Sequence, residues 1–383
     1  MALVFSLLHS ARWRAVGSVA AAMVLAACGT DVAVDPPASP PKGIVVLDGY
    51  IQPGLTLLAD TGKASSRVAL GDPTTFDASG FTMANDTVLA VSSRGAGDLL
   101  YIADLRTGTT RKIQMPVGSN PGNARLLKGT GGQSLIGVAL RDSGSVSLVS
   151  VAGTATATST RITNAGICPT DVFQYDNATW VVDANANCRT TYTLRGDVRL
   201  IRIPNTGTTR DTIILTGARG SGASAIVQGG VAYIAAGGDA NFASFPYAVL
   251  TSGSITMVDL AAKRVVRQRM MPAGSYGAGA RWGANNFLYV SLYEDLSNFT
   301  DRIILLNPAD LSIITTATTP WMTLTAANGD PMTCGNGVAD ALSRLHCLVS
   351  GAGSATSLVV FNAAGKEIRR VAAGQGGVDL ALR

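Results

Sequence analysis

A repeated set of short apolar strands is the feature of this 383-residue chain that most constrains its fold. The clearest copy runs through residues 286–290 (NFLYV), 303–308 (IILLNP) and 312–315 (SIIT). Weaker copies recur along the chain, and the leading strands of all seven begin near Ile44, Val88, Leu135, Trp180, Val231, Phe287 and Leu345. Successive starts lie 44 to 58 residues apart, which indicates one small supersecondary unit per copy.

Turn signals and strand counting extend this interpretation. Six of the seven following strands end in Asp or Asn, whose side chains cap turns by bonding their own backbone. No helical periodicity of useful length interrupts them. The pattern predicts an all-β fold, a seven-bladed β-propeller over residues 43–383. The chain joins the ring at a second strand near Ile44, so we expect residues 377–382 to become the innermost strand of the first blade and close the ring.

Several of these strands resemble a known repeat. Residues 287–290 (FLYV), 255–259 (ITMVD) and 113–121 (IQMPVGSNP) are similar to the YVTN-type seven-bladed propeller repeats of bacterial surface proteins. The similarity covers residues 43–383, although most copies lack the Pro-Asp-Gly turn of that family. NHL, WD40 and quinoprotein-like repeats are open alternatives.

The N-terminal segment has the pattern of an export signal. Arg12 and Arg14 precede an apolar run that ends in residues 25–29 (LAACG), which predicts a signal peptide over residues 1–27. Cys28 after Leu-Ala-Ala resembles the lipobox of bacterial lipoproteins. That resemblance implies a diacylglyceryl group on Cys28, cleavage before it and acylation (palmitate-type) of the new N-terminus. Several acyl chains anchor a protein stably where one binds marginally.

The anchor would set the location of the folded body. In the lipoprotein family Gly29 favours transfer to the outer membrane, so we expect a lipid-anchored protein of the bacterial cell envelope. Residues 28–42 contain four prolines within residues 36–41, which favour an extended tether between lipid and body. An ordinary signal peptide with a chance cysteine is the alternative.

The charge composition argues against a nucleic-acid partner. Charged residues make up 14% of the chain, and loss of Arg12 and Arg14 with the signal lowers the formal net charge from +5 to +3. No block of Lys or Arg accompanies this small excess, which argues against a nucleic-acid partner.

Four cysteines remain in the predicted body, an even number that suggests disulfides in an exported protein. Three pairings are conceivable. Cys168 and Cys188 flank the two strands of a predicted hairpin that turns near residues 176–177, so Cys168–Cys188 is favoured. Cys334–Cys347 is then the remaining pair.

Long connections occur in three consecutive repeats, at residues 183–197, 236–253 and 292–302, with two more at 271–280 and 316–334. In a four-stranded meander all of these lie on one face, at the mouth of the central channel. Structureless loops longer than about a dozen residues are usually functional or disordered. We therefore predict a recognition surface on this face.

Aromatic and charged side chains on these connections are the candidate ligand-binding residues, because such side chains dominate recognition surfaces. The candidates are Arg189, Tyr192, Phe242, Tyr247, Tyr293, Asp295 and Trp321. Phe245 and Tyr276 lie on the same connections. The alternative is that rings such as Phe242, Phe245 and Trp321 fold back over their own blades.

Catalytic and metal sites receive little support. His346 is the one histidine left once the signal is removed, and it lies mid-strand. Residues 183–187 (DANAN) imitate the start of a calcium loop, but Cys188 stands where glycine is needed. We expect no catalytic residue, no cofactor and no metal. Paired carboxylates among Asp239, Glu294, Asp295 and Asp330 would be needed for a lyase or hydrolase.

The sequence predicts a lipid-anchored extracytoplasmic propeller that binds a protein or glycan through its long-loop face. A propeller-type enzyme using acidic and Arg/Tyr residues at the channel mouth is the alternative. A structural subunit of an outer-membrane assembly is a third interpretation.

Overall fold

The computed structural model describes residues 43–49, 51–59, 64–85, 88–94, 97–129, 132–152, 160–189, 191, 193–205, 209–243, 245–297, 300–314, 324–350 and 355–383. Within these ranges the chain is all-β, without an α-helix. A search of the same residues finds no apolar helix of membrane-spanning length. The predicted signal peptide (1–27), Cys28 and the tether (28–42) lie outside the described residues.

The strands are numbered in chain order and grouped by blade. Blade 1 begins with β1 (Gly43–Asp48), β2 (Gly54–Ala59) and β3 (Ala64–Ala69). Blade 2 contains β4 (Ala78–Met83), β5 (Val88–Ser93), β6 (Leu99–Asp104) and β7 (Thr109–Gln114). Blade 3 contains β8 (Pro121–Lys128), β9 (Ser134–Leu140), β10 (Ser145–Ser150) and β11 (Thr160–Ile162). Blade 4 contains β12 (Pro169–Tyr175), β13 (Ala178–Asp183), the short hairpin β14 (Ala186–Asn187) and β15 (Thr193–Leu194), then β16 (Arg199–Pro204) and β17 (Asp211–Ile214).

The remaining blades follow the same plan. Blade 5 contains β18 (Ala223–Gln228), β19 (Val231–Ala236), the hairpin β20 (Asp239–Asn241) and β21 (Ala248–Thr251), then β22 (Ser254–Asp259) and β23 (Arg264–Met270). Blade 6 contains β24 (Tyr276–Trp282), β25 (Leu288–Asp295) and β26 (Thr300–Leu306). A hairpin of β27 (Leu324–Thr325) and β28 (Pro331–Met332) precedes blade 7, which contains β29 (Asn336–Ala339), β30 (Leu345–Ser350), β31 (Ala355–Phe361) and β32 (Glu367–Gln375). The last strand is β33 (Gly377–Leu382).

Seven antiparallel blade sheets confirm the predicted seven-bladed β-propeller. Six are four-stranded meanders, and in five of them the strand that comes first in sequence is innermost. Blade 1 has the order β3-β2-β1-β33, so the last strand supplies its inner edge. β33 pairs with β1 over the register Ile44↔Leu382 to Asp48↔Gly377. Ring closure by residues 377–382 is therefore confirmed.

Small residues let the innermost strands crowd around the channel. At Gly80 in β4, an added Cβ would lie 2.6 Å from the Cα of Asn123 in the next blade. Ser79 Oγ donates a hydrogen bond to the carbonyl of Pro121 at 2.5 Å, linking the same two blades. A larger side chain at position 80 would push the blades apart, because backbone atoms cannot yield as a flexible side chain can.

Apolar layers between neighbouring blades form the core. Between blades 4 and 5, Trp180, Leu200 and Ile234 are buried in one cluster. The Trp180 ring stacks on Phe173, with ring centroids 6.2 Å apart, and its indole N–H bonds the Tyr175 carbonyl. Each fully buried side chain of this kind contributes about 1.5–3 kcal/mol. Successive apolar residues of β13 pack to opposite sides, Trp180 and Val182 towards blade 5 and Val181 towards blade 3, and such packing joins the blades.

Two sequence predictions differ from the structure. The sequence predicts a strand at residues 312–315, of which 312–314 are described. These form a bridge between Leu306 and Ile313 and two further bonds, from Asn307 N to the Ser312 carbonyl and from Ile314 N to the Leu305 carbonyl. Blade 6 is consequently a three-stranded sheet over the described residues. The long connections are also not structureless, because β14–β15 and β20–β21 are hairpins that prolong blades 4 and 5.

Both predicted disulfides are present. Cys168 and Cys188 bracket the hairpin of β12 and β13, and their Cα atoms are 5.8 Å apart. Asp176 and Asn177 make the turn of that hairpin with φ of 46° and 51°, as the symmetry of the two cysteines about residues 176–177 predicts. Cys334 and Cys347, with Cα atoms 5.5 Å apart, join the approach to β29 to β30.

Candidate functional site

The two faces of the ring differ in their connections. One face carries the connections between the second and third strands of each blade, together with those that lead into each innermost strand. We call it the long-loop face. The hairpins of blades 5 and 6 adjoin there, because Gly277 N donates to the Gly237 carbonyl at 2.6 Å and Tyr247 N to Ser297 Oγ at 2.8 Å.

Four aromatic rings meet on this pair of hairpins. Phe242 contacts Tyr247 and Tyr276, with ring centroids 5.4 Å and 5.6 Å apart, and Phe245 contacts Tyr247 at 5.7 Å. We call these four residues the aromatic cluster. Phe242 is 52% exposed and Phe245 70% exposed, and nearby Leu250 is 64% exposed. The rings therefore pack on one another while still presenting apolar surface to solvent.

Tyr276 connects the cluster to the channel mouth. It lies opposite Tyr293 in the register of β24 and β25. Burial, with a smaller contribution from the charge of Asp239, raises the pKa of Tyr276. Tyr293 in turn lines a cleft of about 560 Å³, whose other walls include Ser291, Thr333, Asn336 and Ser350. The aromatic cluster and this cleft are thus joined through the neighbouring residues Tyr276 and Tyr293.

The structure brings together some of the predicted residues. Phe242 and Tyr247 are in ring contact, and Tyr293 belongs to the adjoining cleft. Asp295 is exposed and accepts a bond from Ser297 N at 2.9 Å, in the hairpin that contacts Tyr247. Phe242 and Phe245 both contact Tyr247 of their own blade, Phe242 also reaches Tyr276 of blade 6, and each ring remains more than half exposed.

Of the other predicted residues, the structure describes Arg189, which is not part of this group. Arg189 is exposed, and its charge acts on Asp142 of blade 3, where burial raises the pKa of the carboxyl and Arg189 partly opposes that rise. Tyr192 and Trp321 lie outside the described residues. The sequence placed Arg189 beside the aromatic residues because a loop pattern does not tell which neighbouring blade a side chain faces.

Two of the four candidate carboxylates, Glu294 and Asp330, are accounted for elsewhere. Glu294 forms an ion pair with Arg302 at 2.7 Å. Asp330 lies in the turn between β27 and β28, and Thr325 N of that hairpin bonds the Gly365 carbonyl, in the turn between β31 and β32. That turn belongs to the face opposite the long-loop face. The sequence prediction that Asp330 shares a face with the other acidic residues is therefore wrong.

Charged side chains in the channel were missed by the sequence prediction. Arg125 of β8 binds Asp171 of β12 through two bonds, of 2.9 Å and 2.7 Å, and Arg281 of β24 forms an ion pair with Asp379 of β33. Arg125, Arg281 and Asp379 line a cavity in the channel, which has a volume of about 250 Å³. The sequence signal that could have found them is a charged residue in the interior of each of four innermost strands, namely Arg125, Asp171, Arg281 and Asp379.

Arg125 is also held by groups beyond Asp171. Its Nη2 donates to the Ala225 carbonyl at 3.0 Å, while Ala225 N donates to Asp171 Oδ2 at 2.8 Å. Burial disfavours the Arg125 cation, but the carboxylates of Asp171 and Asp379 outweigh that effect and raise the pKa of Arg125. The four charges thus compensate one another and cross-link innermost strands around the axis.

His346 is buried, as its mid-strand position predicts. Its Nε2 lies 2.9 Å from Asp340 Oδ2, and Arg344 Nε donates to the same oxygen at 2.7 Å. This group lies under the turn between β29 and β30, and it stabilises that turn. Among the described residues, no group of three or more His, Cys, Asp or Glu side chains could hold a metal ion.

Comparison with known proteins gives the fold and no family. No protein-family model matches the chain, and no curated protein matches its sequence. Among solved structures, the β-propeller domain of Cps50 (Swd1) from Myceliophteria thermophila matches with a TM-score of 0.54 and 9% identity, covering 87% of this chain and 96% of that one. Dihydro-heme d1 dehydrogenase NirN in complex with DHE matches with a TM-score of 0.52 and 13% identity, covering 91% and 76%.

A third structure, of an ACO mutant from Synechocystis, matches with a TM-score of 0.52 and 11% identity. The match covers 90% of this chain and 94% of that one. At such low identity these similarities concern the backbone arrangement alone. Together with the strand order, they show that the chain is a seven-bladed β-propeller.

Proposed function

We propose that the protein is a lipid-anchored binding module of the bacterial cell envelope, and that it recognises a protein ligand through the long-loop face. The observation that carries this proposal is the exposed aromatic cluster on the hairpins of blades 5 and 6. Phe242, Phe245 and Leu250 present apolar surface next to a cleft. Contiguous exposed apolar surface rimmed by polar residues marks interaction sites in soluble domains.

A protein ligand fits this surface better than a glycan. Sugars stack on flat, open ring faces, whereas the rings of Phe242 and Tyr276 meet edge to face at 83°. Edge-to-face clusters suit aromatic side chains, and Trp and Tyr are enriched at protein–protein hot spots. Two phenylalanines at the most exposed positions also offer no hydrogen-bonding group to a sugar hydroxyl.

The anchor is proposed from residues 25–28 (LAAC) and the proline-rich stretch after them. Membership of the YVTN-type repeat proteins is part of the same proposal, and the seven-bladed ring is the feature in its favour. A lyase or hydrolase would need two carboxylates placed together. Asp330 lies on the opposite face and Glu294 is paired with Arg302, so this alternative has no supporting geometry.

Cross-linking from the aromatic cluster tests the binding function. A photoreactive phenylalanine analogue replaces Phe245 in cells that express the protein, and we expect one discrete adduct after irradiation. The matched control places the analogue at Val117, which is 90% exposed on the same face but in the connection from blade 2 to blade 3. Adducts of equal yield from both positions, or none from Phe245, would contradict the proposal.

Mass spectrometry tests the anchor separately. We expect the mature N-terminal peptide to begin at Cys28 and to carry acyl chains, and the protein to fractionate with membranes. The Cys28→Ser variant should lose the acyl mass and leave the membrane fraction. An unmodified Cys28 in a membrane-free protein would refute the anchor while leaving the binding surface untouched.

A further inference from the structure

The aromatic cluster provides a hydrophobic anchor point in which some rings are packed and others are open to solvent. Phe242 is held between Tyr247 and Tyr276, while Phe245 extends beyond Tyr247 with 70% of its surface exposed. A ligand side chain can reach Phe245 and Leu250 from solvent without rearranging the hairpin. Burial of two such side chains supplies about 3–6 kcal/mol before the costs of association.

Acidic groups lie on the two hairpins that carry this anchor point. Among the described side chains of the hairpins β20–β21 and β25–β26, Asp239, Glu294 and Asp295 carry negative charge and Arg302 is the one cation. Arg219, at the base of the blade 5 hairpin, is occupied by Asp197 at 3.4 Å. The described side chains of these two hairpins therefore carry three negative charges and one positive charge, on a chain whose formal net charge is +5.

The adjoining cleft extends the surface towards the channel mouth. Its lining combines the Tyr293 ring with the polar residues Ser291, Asn336 and Ser350, and its volume of about 560 Å³ accommodates a few residues of an extended chain. The channel beyond it is narrowed by the ion pairs Arg125–Asp171 and Arg281–Asp379. A ligand lies across the mouth and does not thread the ring.

We propose that the ligand is an extended protein segment in which Lys or Arg residues flank an aromatic or aliphatic side chain. The apolar side chain packs on Phe242 and Phe245, and the basic side chains approach Asp239 and Asp295. This proposal rests on the proposed binding function and names the chemistry of its partner. A basic ligand is proposed on the ground of charge complementarity. Acidic side chains repel anionic lipids and acidic peptides and attract basic peptides.

Selection from a phage-displayed library of random peptides on the purified protein tests the proposal. We expect the enriched peptides to carry net positive charge with at least one Trp, Phe, Leu or Ile. Their affinity should fall about tenfold or more in Phe245→Ala, which removes a hot-spot ring. It should fall about threefold in Asp239→Asn and weaken as salt is raised.

Two variants serve as matched controls. Ile368→Ala removes an apolar side chain that is 52% exposed on the outer strand of blade 7. Asp176→Asn removes an exposed carboxylate on the opposite face, at a positive φ that asparagine tolerates. Neither should change peptide affinity. Because Phe245 and Asp239 are not core residues, circular dichroism should show all four variants folded.

The outcomes separate the two proposals. Neutral or acidic peptides whose binding depends on Phe245 would overturn the basic ligand and leave the binding face intact. Peptides insensitive to both Phe242→Ala and Phe245→Ala would overturn both. Concentration-dependent dimerisation in sedimentation experiments, abolished by Phe245→Ala, would identify a second copy as the occupant and also overturn the basic segment.

Discussion

Leu382 lies directly opposite Ile44 in the register of blade 1, so the last strand completes the sheet that the first strand begins. Ile44 is buried in the core where blade 1 meets blade 7, and the partly buried Leu382 packs against that core. The closing strand therefore contributes packing as well as an edge.

Deletion of residues 377–383 should abolish cooperative unfolding. It leaves the inner edge of β1 unpaired and exposes Ile44 and Val46, and an unprotected edge strand promotes aggregation. We expect a broadened thermal transition and oligomers in size-exclusion chromatography. A sharp, reversible, monomeric transition in the truncated protein would contradict a role for β33 in closing the ring.

The Arg281–Asp379 ion pair should stabilise the same closure. Asp379→Ala is expected to cost about 1–3 kcal/mol, since it removes a charge-assisted hydrogen bond in a part-buried site. A denaturant double-mutant cycle with Arg281→Met measures the coupling. The pair of Arg106 and Asp104, whose arginine is 72% exposed, is the control and should contribute about 0–1 kcal/mol.

Asp48 should make the stability of blade 1 depend on pH. Burial raises the pKa of Asp48 to about 6, although Thr56 and Arg67 favour its ionised form. Since the folded pKa exceeds the unfolded value, this contribution is full below about pH 4 and is lost as pH rises through about 6. The loss amounts to at most about 3 kcal/mol. An amide at this position cannot ionise.

Thermal unfolding from about pH 4 to about pH 8 checks this prediction. Relative to the wild-type protein, Asp48→Asn should gain stability as pH rises. Gly374 packs closely against Asp48, since a Cβ added at Gly374 would lie 2.5 Å from Asp48 Oδ1. A side chain larger than asparagine therefore has no room at position 48. A constant difference between Asp48→Asn and wild type across this range would show that Asp48 does not titrate in it.

Asp340 should have the opposite pH dependence. Burial alone would raise the pKa of Asp340, but bonds from His346 and Arg344 outweigh it and lower the pKa to about 2. A lowered carboxylate pKa stabilises the fold above about pH 4, and that stability is lost as pH falls towards 2. Asp340→Ala should cost about 1–3 kcal/mol at neutral pH, because the buried His346 Nε2 and Arg344 Nε lose the oxygen that they share. Chemical denaturation at neutral and acidic pH measures both effects.

The Cys168–Cys188 disulfide should stabilise blade 4 by about 3 kcal/mol. The sequence separation is 20 residues, and in the chain-entropy description a loop of this length restricts the unfolded chain by roughly that free energy. The Cys168→Ala/Cys188→Ala double variant should lose this stability, and reducing agent should then destabilise it less than the wild type. An unchanged denaturation midpoint would show that the bond is energetically neutral.

The ring and both disulfides could be predicted from sequence because their signals are local. The leading strands near Trp180 and Val231 are uninterrupted apolar runs, and β13 and β19 contain them. Cys168 and Cys188 are symmetric about the turn at residues 176–177, which fixes their approach. Strand counting alone then assigns residues 377–382 to the inner edge of blade 1.

The hairpins and the channel charges could not be predicted in the same way. Strands of two or three residues, such as β14 and β20, are too short for an alternating pattern. Arg281 and Asp379 meet across the ring axis, and only the angular placement of the blades brings them together. The separation of Arg189 from the aromatic cluster has the same origin.

The pairing of β1 with β33 also has a consequence for biosynthesis. β1 is the first of the described strands to be translated, and its inner neighbour is the last. Until β33 is available, the backbone groups along one side of β1 have no partner, and closing a contact between positions this far apart is entropically slow. Blades 2 to 7 can form from hairpins of strands that are adjacent in sequence. Blade 1, which is translated first, is therefore the blade whose completion depends on the final residues.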